Sequence, residues 1–309
     1  DQNHFLLEPV SIENLHNNRN TRNFWCRIEG KGCWSACGSS AVQEADRFTQ
    51  QQEDTILEAG FMWQSVCRTS EKYGMQSEIT SFVTVDGNIE IMLVKLTNIG
   101  EKEIELTPVA AIPVYGRSAD NIRDHRHVTS LLHRIDTREY GVEVTPVLSF
   151  DERGHQKNHT TYFVYGSEED GRAPQEFYPT VEQFIGEGGS YLNPEAVRTE
   201  MRGVPSGSRI QGKEAVGGIR FQTMKLKPQE TKSYIVLAGL TEKKEQIEKE
   251  IERLKHVNIG ANKTVQELLE SLGSTKLNSG STLEELIKRP ELNYECLAPI
   301  DPDREPLDD

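Results

Sequence analysis

The chain has 309 residues, 35% of them hydrophobic and 27% charged, which is enough for one large or two modest domains with a buried core. The formal net charge of -14 would repel phosphate over most of the surface, which argues against binding nucleic acid or an anionic membrane. The sequence contains no run of about 18 apolar residues, no secretory signal pattern and no zinc-ribbon spacing among its cysteines. We therefore predict a soluble cytoplasmic protein with reduced thiols.

Two apolar runs separated by a turn predict an antiparallel hairpin in the first third of the chain. The runs are residues 79–85 (ITSFVTV) and 89–97 (IEIMLVKLT), and residues 86–88 (DGN) tolerate the positive φ that a tight turn needs. Residues 103–114 (EIELTPVAAIPV) follow, and their first half alternates apolar and polar residues as in a half-buried strand. This part of the chain is therefore predicted to form consecutive antiparallel strands.

Further strand-like runs continue to about residue 240. They are residues 141–150, 160–166, 219–226 and 233–240. The last two are joined through residues 228–230 (PQE) and are predicted to form another hairpin. Because no helical pattern separates these strands, a parallel sheet with crossover helices is disfavoured. We predict that residues 1–240 form a large antiparallel β-sandwich.

From Thr241 onward the apolar residues recur at helical spacing. The sequence TEKKEQIEKEIERLK places a narrow apolar stripe on one helix face, made of Ile247, Ile251 and Leu254. With Thr241 as a suitable N-cap, the pattern predicts a helix over about residues 242–255. Two capping-box patterns and an acidic, proline-containing end follow. Residues 241–309 are thus predicted to be linker helices and an acidic tail.

Residues 117–134 (RSADNIRDHRHVTSLLHR) concentrate arginine and histidine in an acidic chain and form the main candidate site. The candidate side chains are Arg117, Arg123, His125, Arg126 and His127. His125 and His127 have the spacing of ligands on a strand, but the arginine between them would repel a metal cation. Asp120 or Asp124 could orient an imidazole for acid–base catalysis.

Two other interpretations of this basic segment are open. In the first, its side chains bond to carboxylates and carbonyl groups at one end of the sandwich and have only a structural role. In the second, they face an anion, a sugar or another domain, because the planar guanidinium group suits carboxylate and phosphate oxygens. We predict neither a catalytic residue nor a metal site in this chain.

A second candidate site consists of aromatic residues in a glycine- and proline-containing region. Phe177, Tyr178 and Tyr191 could stack on sugar rings, although such side chains belong more often to a core. Residues 186–189 (GEGG) lack the strand and helix context of a dinucleotide fingerprint and the lysine of a P-loop. The sequence therefore predicts no nucleotide cofactor.

Three stretches carry a resemblance to a known family. They are residues 61–98 (FMWQSVCRTSEKYGMQSEITSFVTVDGNIEIMLVKLTN), 103–135 (EIELTPVAAIPVYGRSADNIRDHRHVTSLLHRI) and 217–241 (GGIRFQTMKLKPQETKSYIVLAGLT). Together they resemble the N-terminal region of glycoside hydrolase family 94 phosphorylases, with the 1,2-β-oligoglucan phosphorylase group as the closest. The resemblance covers about residues 5–255 and marks a type of domain rather than an active site.

The resemblance implies a β-super-sandwich of the galactose mutarotase-like type, followed by linker helices that lead to a catalytic (α/α)₆ barrel of the same chain. In such enzymes a barrel aspartate protonates the departing sugar oxygen while inorganic phosphate, the co-substrate, attacks the opposite face. No residue of this chain matches that aspartate. The resemblance also implies β-glucan oligosaccharides as substrate, the barrel as partner of the basic segment, and a homodimer as one assembly.

Two functions follow as expectations. The first is the non-catalytic sandwich module of an inverting β-glucan phosphorylase, in which a parent chain forms α-glucose 1-phosphate. The second is a free-standing carbohydrate-binding or assembly module without enzymatic activity. The length of the parent reading frame separates them, because a large helical barrel needs several hundred further residues.

Overall fold

The structure is a computed structural model that describes residues 4–8, 22–60, 63–83, 88–117, 126–151, 154–199 and 201–256. Its strands are β1 (Asn23–Ile28), β2 (Gly32–Ser35), β3 (Asp54–Gly60), β4 (Trp63–Ser70), β5 (Met75–Val83), β6 (Ile89–Asn98), β7 (Ile104–Val114), β8 (Arg134–Arg138), β9 (Gly141–Val144), β10 (Leu148–Asp151), β11 (Gly154–Lys157), β12 (Thr161–Glu168), β13 (Glu176–Thr180), β14 (Arg209–Gln211), β15 (Ala215–Arg220), β16 (Met224–Leu226) and β17 (Thr231–Thr241). Its helices are α1 (Ala41–Asp46), α2 (Arg126–Ser130), α3 (Val181–Ile185), α4 (Glu195–Arg198) and α5 (Lys244–Lys255).

The described strands form two large sheets and one small one. The nine-stranded sheet has the order β14-β8-β9-β12-β17-β6-β5-β4-β3. The six-stranded sheet has the order β13-β15-β7-β1-β2, with β16 also paired to β7, and β10 and β11 form a separate hairpin. Every described pairing is antiparallel. The predicted mainly-β, antiparallel sandwich is confirmed.

Strand β7 alternates apolar and polar residues only at its start, and its burial explains why. Glu105 is exposed between two buried residues, as the pattern predicts, but every residue from Thr107 to Val114 is buried. Ala110 and Ile112 belong to the core between the sheets, whereas Val109 and Ala111 pack in a second cluster with residues of α3 and α4. Both faces of the six-stranded sheet are therefore covered along β7, and a strand covered on both faces is apolar throughout.

The two sheets approach closely between β12 and β15. A Cβ atom placed on Gly217 would lie 2.3 Å from Cβ of Val164, closer than two carbon atoms can approach. Gly141 in β9 is similarly confined, since its Cβ would lie 2.0 Å from the carbonyl oxygen of Val164. Glycine is required at both positions because the neighbouring backbone and side chain occupy the space of any larger residue.

The first predicted hairpin is confirmed and the last one is wrong. Strands β5 and β6 pair in register from Met75 opposite Asn98 to Val83 opposite Glu90. Residues 219–226, in contrast, are divided between β15 and β16, which pair with β7, while β17 pairs with β6 and β12 in the other sheet.

The turn at residues 227–230 explains this difference. The Glu230 amide donates to the Lys227 carbonyl at 3.0 Å, the Lys227 amide donates to the Glu230 carboxylate at 2.8 Å, and Gln229 adopts a left-handed φ of 61°. At this turn the chain thus passes from the six-stranded sheet to the nine-stranded sheet. Both edges of β17 are already paired by strands from distant parts of the sequence, so β16 cannot pair with it.

Helix α5 matches the predicted position closely. It begins at Lys244 and ends at Lys255, and its apolar stripe is buried as expected. The N-cap residue is Lys243 rather than Thr241, so the predicted cap is wrong by two residues. The Thr241 hydroxyl nevertheless accepts from the Lys243 amide at 3.0 Å. No helix in the described part of the chain has both the length and the apolar character needed to cross a membrane.

The chain divides into two compact units, residues 1–263 and residues 264–309. The second unit, with the predicted acidic tail, lies outside the described residues.

Candidate functional site around helix α2

The basic segment begins where β7 ends. Phe5 forms an antiparallel bridge with Arg117, and its amide donates to the Arg117 carbonyl at 2.9 Å. The predicted site residues Arg123 and His125 lie outside the described residues. Arg126 and His127 form the first turn of α2, and the structure does not describe their side chains. Their predicted role in docking stays a prediction.

Arg117 is held against the end of the strand. Its Nε donates to the Tyr115 carbonyl at 3.2 Å, and its guanidinium carbon lies 4.6 Å from the centre of the Tyr115 ring. A guanidinium over a tyrosine ring gains a cation–π attraction of about 0.5–1 kcal/mol or more. These contacts fix the direction in which the chain leaves β7 and enters the basic segment.

His133, near the end of the segment, is a buried neutral imidazole. It is 1% exposed, and its Nδ1 lies 3.2 Å from the Lys213 carbonyl oxygen, so Nδ1 carries the proton that is donated. Burial and the positive charges of Arg117 and Arg134 lower the pKa of His133 to about 4. A histidine that is neutral and enclosed in this way has a structural role, which supports the structural interpretation for this part of the segment.

Arg134 closes the turn after α2. Its Nη1 donates to the carbonyl oxygens of Leu131 at 3.1 Å and of His133 at 2.9 Å. The carbonyl groups at the end of a helix have no partner in the helix itself, so a nearby cationic donor stabilises them. Within the described ranges, no group of three or more His, Cys, Asp or Glu side chains could hold a metal ion.

Three exposed apolar side chains surround α2, and we call them the α2 patch: Val128, Leu131 and Val147. Their exposed fractions are 52%, 60% and 41%, and the Val147 amide donates to the Leu132 carbonyl at 2.9 Å, which brings the two stretches together. Exposed apolar residues that lie near one another beside basic ones are typical of protein interfaces. The sequence reasoning missed this patch, although the spacing of Val128 and Leu131 is a helical one.

The predicted sugar-stacking role of Phe177 and Tyr178 is wrong. Both lie in β13 and are at most 1% exposed, so neither ring offers a face to a sugar. The Tyr178 hydroxyl donates to the Met201 carbonyl at 2.7 Å, and its ring packs edge-on against Phe184. These residues do not form a loop, because they belong to β13, which pairs with β15. The pairing directs both rings into the cores.

Tyr191 is only partly buried. Its ring lies 6.1 Å from that of Phe184 and packs against the same cluster. Two cavities beside it have a volume of only about 10 Å³ each, too small for a sugar ring. A stacking role for Tyr191 stays a prediction.

Among the described residues, three carboxyl groups have a raised pKa, and each is bonded to neighbours within the sandwich. Burial is the main cause of the raised pKa for Glu143, Glu168 and Glu250. Glu143 accepts from the Tyr165 hydroxyl and pairs with Arg138, and Glu168 accepts from the Gln222 amide. Glu250 pairs with Arg253 at 3.0 Å. These groups support the fold and are not arranged as a pair around a shared cleft.

Sequence comparison decides the family. The profile described as glycosyl hydrolase 94, supersandwich domain, matches residues 4–257. The chain belongs to this family. The match covers both sheets and helix α5 of the described structure.

A second similarity concerns the end of the chain. Residues 237–309 match the profile of the C-terminal helical domain of the tRNA modifying enzyme MnmG/GidA. The tRNA uridine 5-carboxymethylaminomethyl modification enzyme MnmG of Lachnoclostridium phytofermentans is 54% identical over 68 residues, which are 22% of this chain and 11% of that protein. The enzyme of the same name from Caldicellulosiruptor saccharolyticus is 49% identical over 65 residues, or 21% and 10% of the two chains.

The two profile matches overlap over residues 237–257. In the structure this overlap contains the end of β17 and helix α5, which packs on the sandwich through its buried stripe. Arg138 pairs with Glu248 of the helix at 2.6 Å, and a Cβ on Gly171 would lie 2.5 Å from the Lys255 carbonyl oxygen. Helix α5 is therefore an integral part of the sandwich unit.

Similar solved structures include a bacterial glucoamylase in complex with acarbose, with a TM-score of 0.44 and 8% identity over 82% of this chain and 31% of that one. The polysaccharide lyase BACCELL_00875 has a TM-score of 0.38 and 10% identity, over 80% and 30% of the two chains. The chain thus spans less than a third of either protein.

The low pKa of His133 makes the stability of the fold depend on pH. Between about pH 4 and pH 6.5 the unfolded chain binds a proton at this imidazole that the folded chain does not bind. The free energy of unfolding should therefore fall by up to about 3 kcal/mol as the pH drops through this window. The variant His133→Gln keeps a donor for the Lys213 carbonyl but cannot bind this proton. We expect it to lose this pH-dependent part of the free energy of unfolding.

Urea unfolding at a series of pH values measures the effect as the difference between wild type and variant. The exposed His159 provides the control variant His159→Gln, which should keep the wild-type pH dependence. Equal pH slopes in wild type and His133→Gln would contradict the assignment.

Proposed function

We propose that this chain is the non-catalytic sandwich module of an inverting β-glucan phosphorylase, with β-1,2-oligoglucans as the expected substrates. A parent enzyme would use inorganic phosphate as co-substrate and release α-glucose 1-phosphate, without a cofactor. The observation that carries the proposal is the family match over residues 4–257. The resemblance of the sequence to the 1,2-β-oligoglucan phosphorylase group supports the finer assignment.

The separate roles proposed for the catalytic domain and for this module follow from the chemistry of inverting phosphorolysis. A carboxylic acid protonates the departing sugar oxygen while phosphate attacks the opposite face of the ring, so the acid must reach a substrate-sized cleft. The described carboxyl groups with a raised pKa are bonded to neighbours inside the sandwich. We assign the acid to a separate (α/α)₆ catalytic domain and give this module the tasks of supporting and positioning it.

The α2 patch and the basic segment are the surface proposed to meet the catalytic domain. Exposed apolar side chains gain free energy when a partner covers them, at about 25 cal/mol per Å² of apolar area. Arginine and histidine beside the patch would add pairs with carboxylates of the partner and so define its orientation. A free-standing carbohydrate-binding or assembly module is the alternative, and a homodimer is compatible with either function.

A cytoplasmic location is part of the proposal. The four cysteines that the structure describes, Cys26, Cys33, Cys37 and Cys67, are all free thiols. Burial raises the pKa of each of them, so the unreactive protonated form predominates at neutral pH. Free thiols of this kind are typical of a reducing compartment.

The similarity of residues 237–309 to MnmG favours a second candidate function for that segment alone, a part in tRNA uridine modification. Residues 257–309 contain more acidic than basic side chains, and such a segment is repelled by the phosphate backbone. If the segment serves tRNA modification, it would do so through contact with another protein.

The chain by itself should not catalyse phosphorolysis. We expect no α-glucose 1-phosphate from β-1,2-oligoglucans and phosphate, because general acid catalysis alone contributes about 10²- to 10⁴-fold. The release of α-glucose 1-phosphate by purified chain and by the parent enzyme is measured under the same conditions. The proposal would be overturned if the purified chain released α-glucose 1-phosphate and if replacing one of its own residues abolished that release.

Replacing Val128 and Leu131 by serine should weaken coupling to the catalytic domain without unfolding the module. Both side chains are more than half exposed, so the melting temperature of the chain should change little. In the parent enzyme the same changes, or Arg123→Ala with Arg126→Ala, should lower phosphorolysis or interdomain stability. The control Val83→Ser alters an apolar residue that is 39% exposed and lies in β5. A large drop in the melting temperature of the chain would reject the docking role.

The second candidate is tested by adding tRNA to the full chain and to a chain that ends at His256. We expect no mobility shift of tRNA at moderate salt for either protein, because both carry an excess of negative charge. A shift produced by the full chain and lost in the shorter one would instead assign residues 257–309 to tRNA recognition.

A further inference from the structure

A cavity of about 810 Å³ lies at the β3 edge of the nine-stranded sheet, far along that sheet from α2. Its walls are helix α1, the loop of residues 47–53, the start of β3, and the end of β4 with the turn that follows. Sites for small ligands commonly have volumes of about 300–1,000 Å³. The cavity is large enough for several sugar units, and the proposed function does not use it.

The floor of the cavity is a fixed hydrogen-bond network around Glu53. Trp34 Nε1 donates to Glu53 Oε1 at 2.8 Å, and Gln43 Nε2 donates to Glu53 Oε2 at 2.6 Å. The Glu53 side chain is only 11% exposed, and Arg68 Nη1 lies 3.6 Å from Oε2. The network holds polar groups in place before any ligand arrives, which lowers the entropic cost of binding.

Gly38 leaves space for the Arg68 guanidinium. Gly38 has a φ of +81°, and a Cβ atom there would lie 2.4 Å from Cζ of Arg68. Only glycine combines this left-handed conformation with the space that the guanidinium occupies. The Arg68 side chain is 18% exposed and lies against the cavity wall.

The cavity is lined by four carboxylates (Asp46, Glu53, Asp54 and Glu71) and three cationic side chains (Arg47, Arg68 and Lys72), so its formal charge is only about -1. Arg68 lies beside Glu53, Lys72 Nζ lies 3.8 Å from Asp46, and Arg47 is bonded to Glu44 at 2.7 Å. Paired charges leave little net field, so neither an anion such as phosphate nor a metal cation is attracted strongly.

Amide and hydroxyl groups supply most of the remaining polar lining. Gln50, Gln51 and Gln52 follow one another along the wall, and Thr55 and Thr69 lie on the adjacent strands. In the described part of the chain, the side-chain amides of Gln50 and Gln51 make no hydrogen bond. Such amides both donate and accept, and this suits a neutral ligand that carries many hydroxyl groups.

Phe48 lies in the same loop and is 90% exposed. Its φ of 67° is unfavourable for a bulky residue, yet the loop is held by hydrogen bonds, including one from the Phe48 amide to Gln52 Oε1 at 3.3 Å. Backbone strain that is maintained at an exposed aromatic side chain is characteristic of functional sites. The apolar face of a sugar ring stacks well on such a ring.

We propose that this cavity, together with Phe48 of the loop that lines it, is a non-catalytic binding site for a neutral oligosaccharide; the choice of a glucan as ligand rests on the proposed function. Phe48 stacks on one sugar ring, while the glutamine amides and the polar floor bind the hydroxyl groups of its neighbours. The site requires no catalytic domain, so it holds for a module of a phosphorylase and for a free-standing binding module alike. It also gives the chain a direct means of retaining a glucan near an enzyme.

The test is isothermal titration of the 309-residue chain with linear β-1,2-gluco-oligosaccharides. We expect saturable binding that Phe48→Ala weakens about tenfold or more and Gln51→Ala weakens severalfold. Trp34 fluorescence gives a second readout, since its Nε1 bonds to the cavity floor. Val83→Ala, an exposed apolar residue of β5, is the control and should bind like wild type. Inorganic phosphate should not compete.

Phe48→Gly separates binding from stability. Glycine adopts a φ of 67° without strain, so this variant should melt at the same or a higher temperature than wild type while losing affinity. Loss of affinity therefore cannot arise from unfolding. Absence of saturable binding, or equal affinity in wild type, Phe48→Ala and Gln51→Ala, would overturn the proposal. Because the measurement involves no phosphorolysis, its outcome is independent of the activity assigned to the parent enzyme.

Discussion

The two sheets are held together by a cluster of three buried aromatic rings that neither sheet could form alone. Phe24 belongs to β1, Phe221 follows β15, and Tyr234 belongs to β17 of the other sheet. The Tyr234 ring centre lies 5.4 Å from that of Phe24 and 4.9 Å from that of Phe221. Such pairs contribute about 0.5–1.5 kcal/mol each beyond the burial of their area. The contact of Gly217 with Val164 limits how closely the sheets approach.

Local signals were sufficient for some elements and insufficient for others. The β5–β6 hairpin and helix α5 depend on neighbouring residues, a short turn in one case and a stripe of three apolar residues in the other, and both could be predicted. The partners of β17 are β6 and β12, which lie far away in the sequence. Hydrophobic pattern shows that a strand exists but not which sheet it joins, because the choice depends on which edges are already paired.

The candidate sites show the same limit at the level of side chains. Composition identified the aromatic rings of Phe177 and Tyr178, but their burial follows from the pairing of β13 with β15, which the sequence does not reveal. The burial of His133 likewise depends on a carbonyl group 80 residues away. The left-handed φ of Phe48 leaves no trace in hydrophobic pattern, since glycine would be the expected residue there. The three consecutive glutamines that follow Thr49 were likewise not identified as a candidate site from the sequence.

The order of strands places the two proposed binding surfaces at opposite ends of one sheet. The α2 patch lies beside β8, next to the β14 edge, and the cavity lies at the β3 edge, with six strands between β8 and β3. At about 4.8 Å per strand, this separates the two surfaces by roughly 30 Å. Groups so far apart, without shared contacts, make nearly independent contributions to free energy. In the function that we propose, a catalytic domain can therefore cover one edge of the sheet while the other edge stays open to an oligosaccharide.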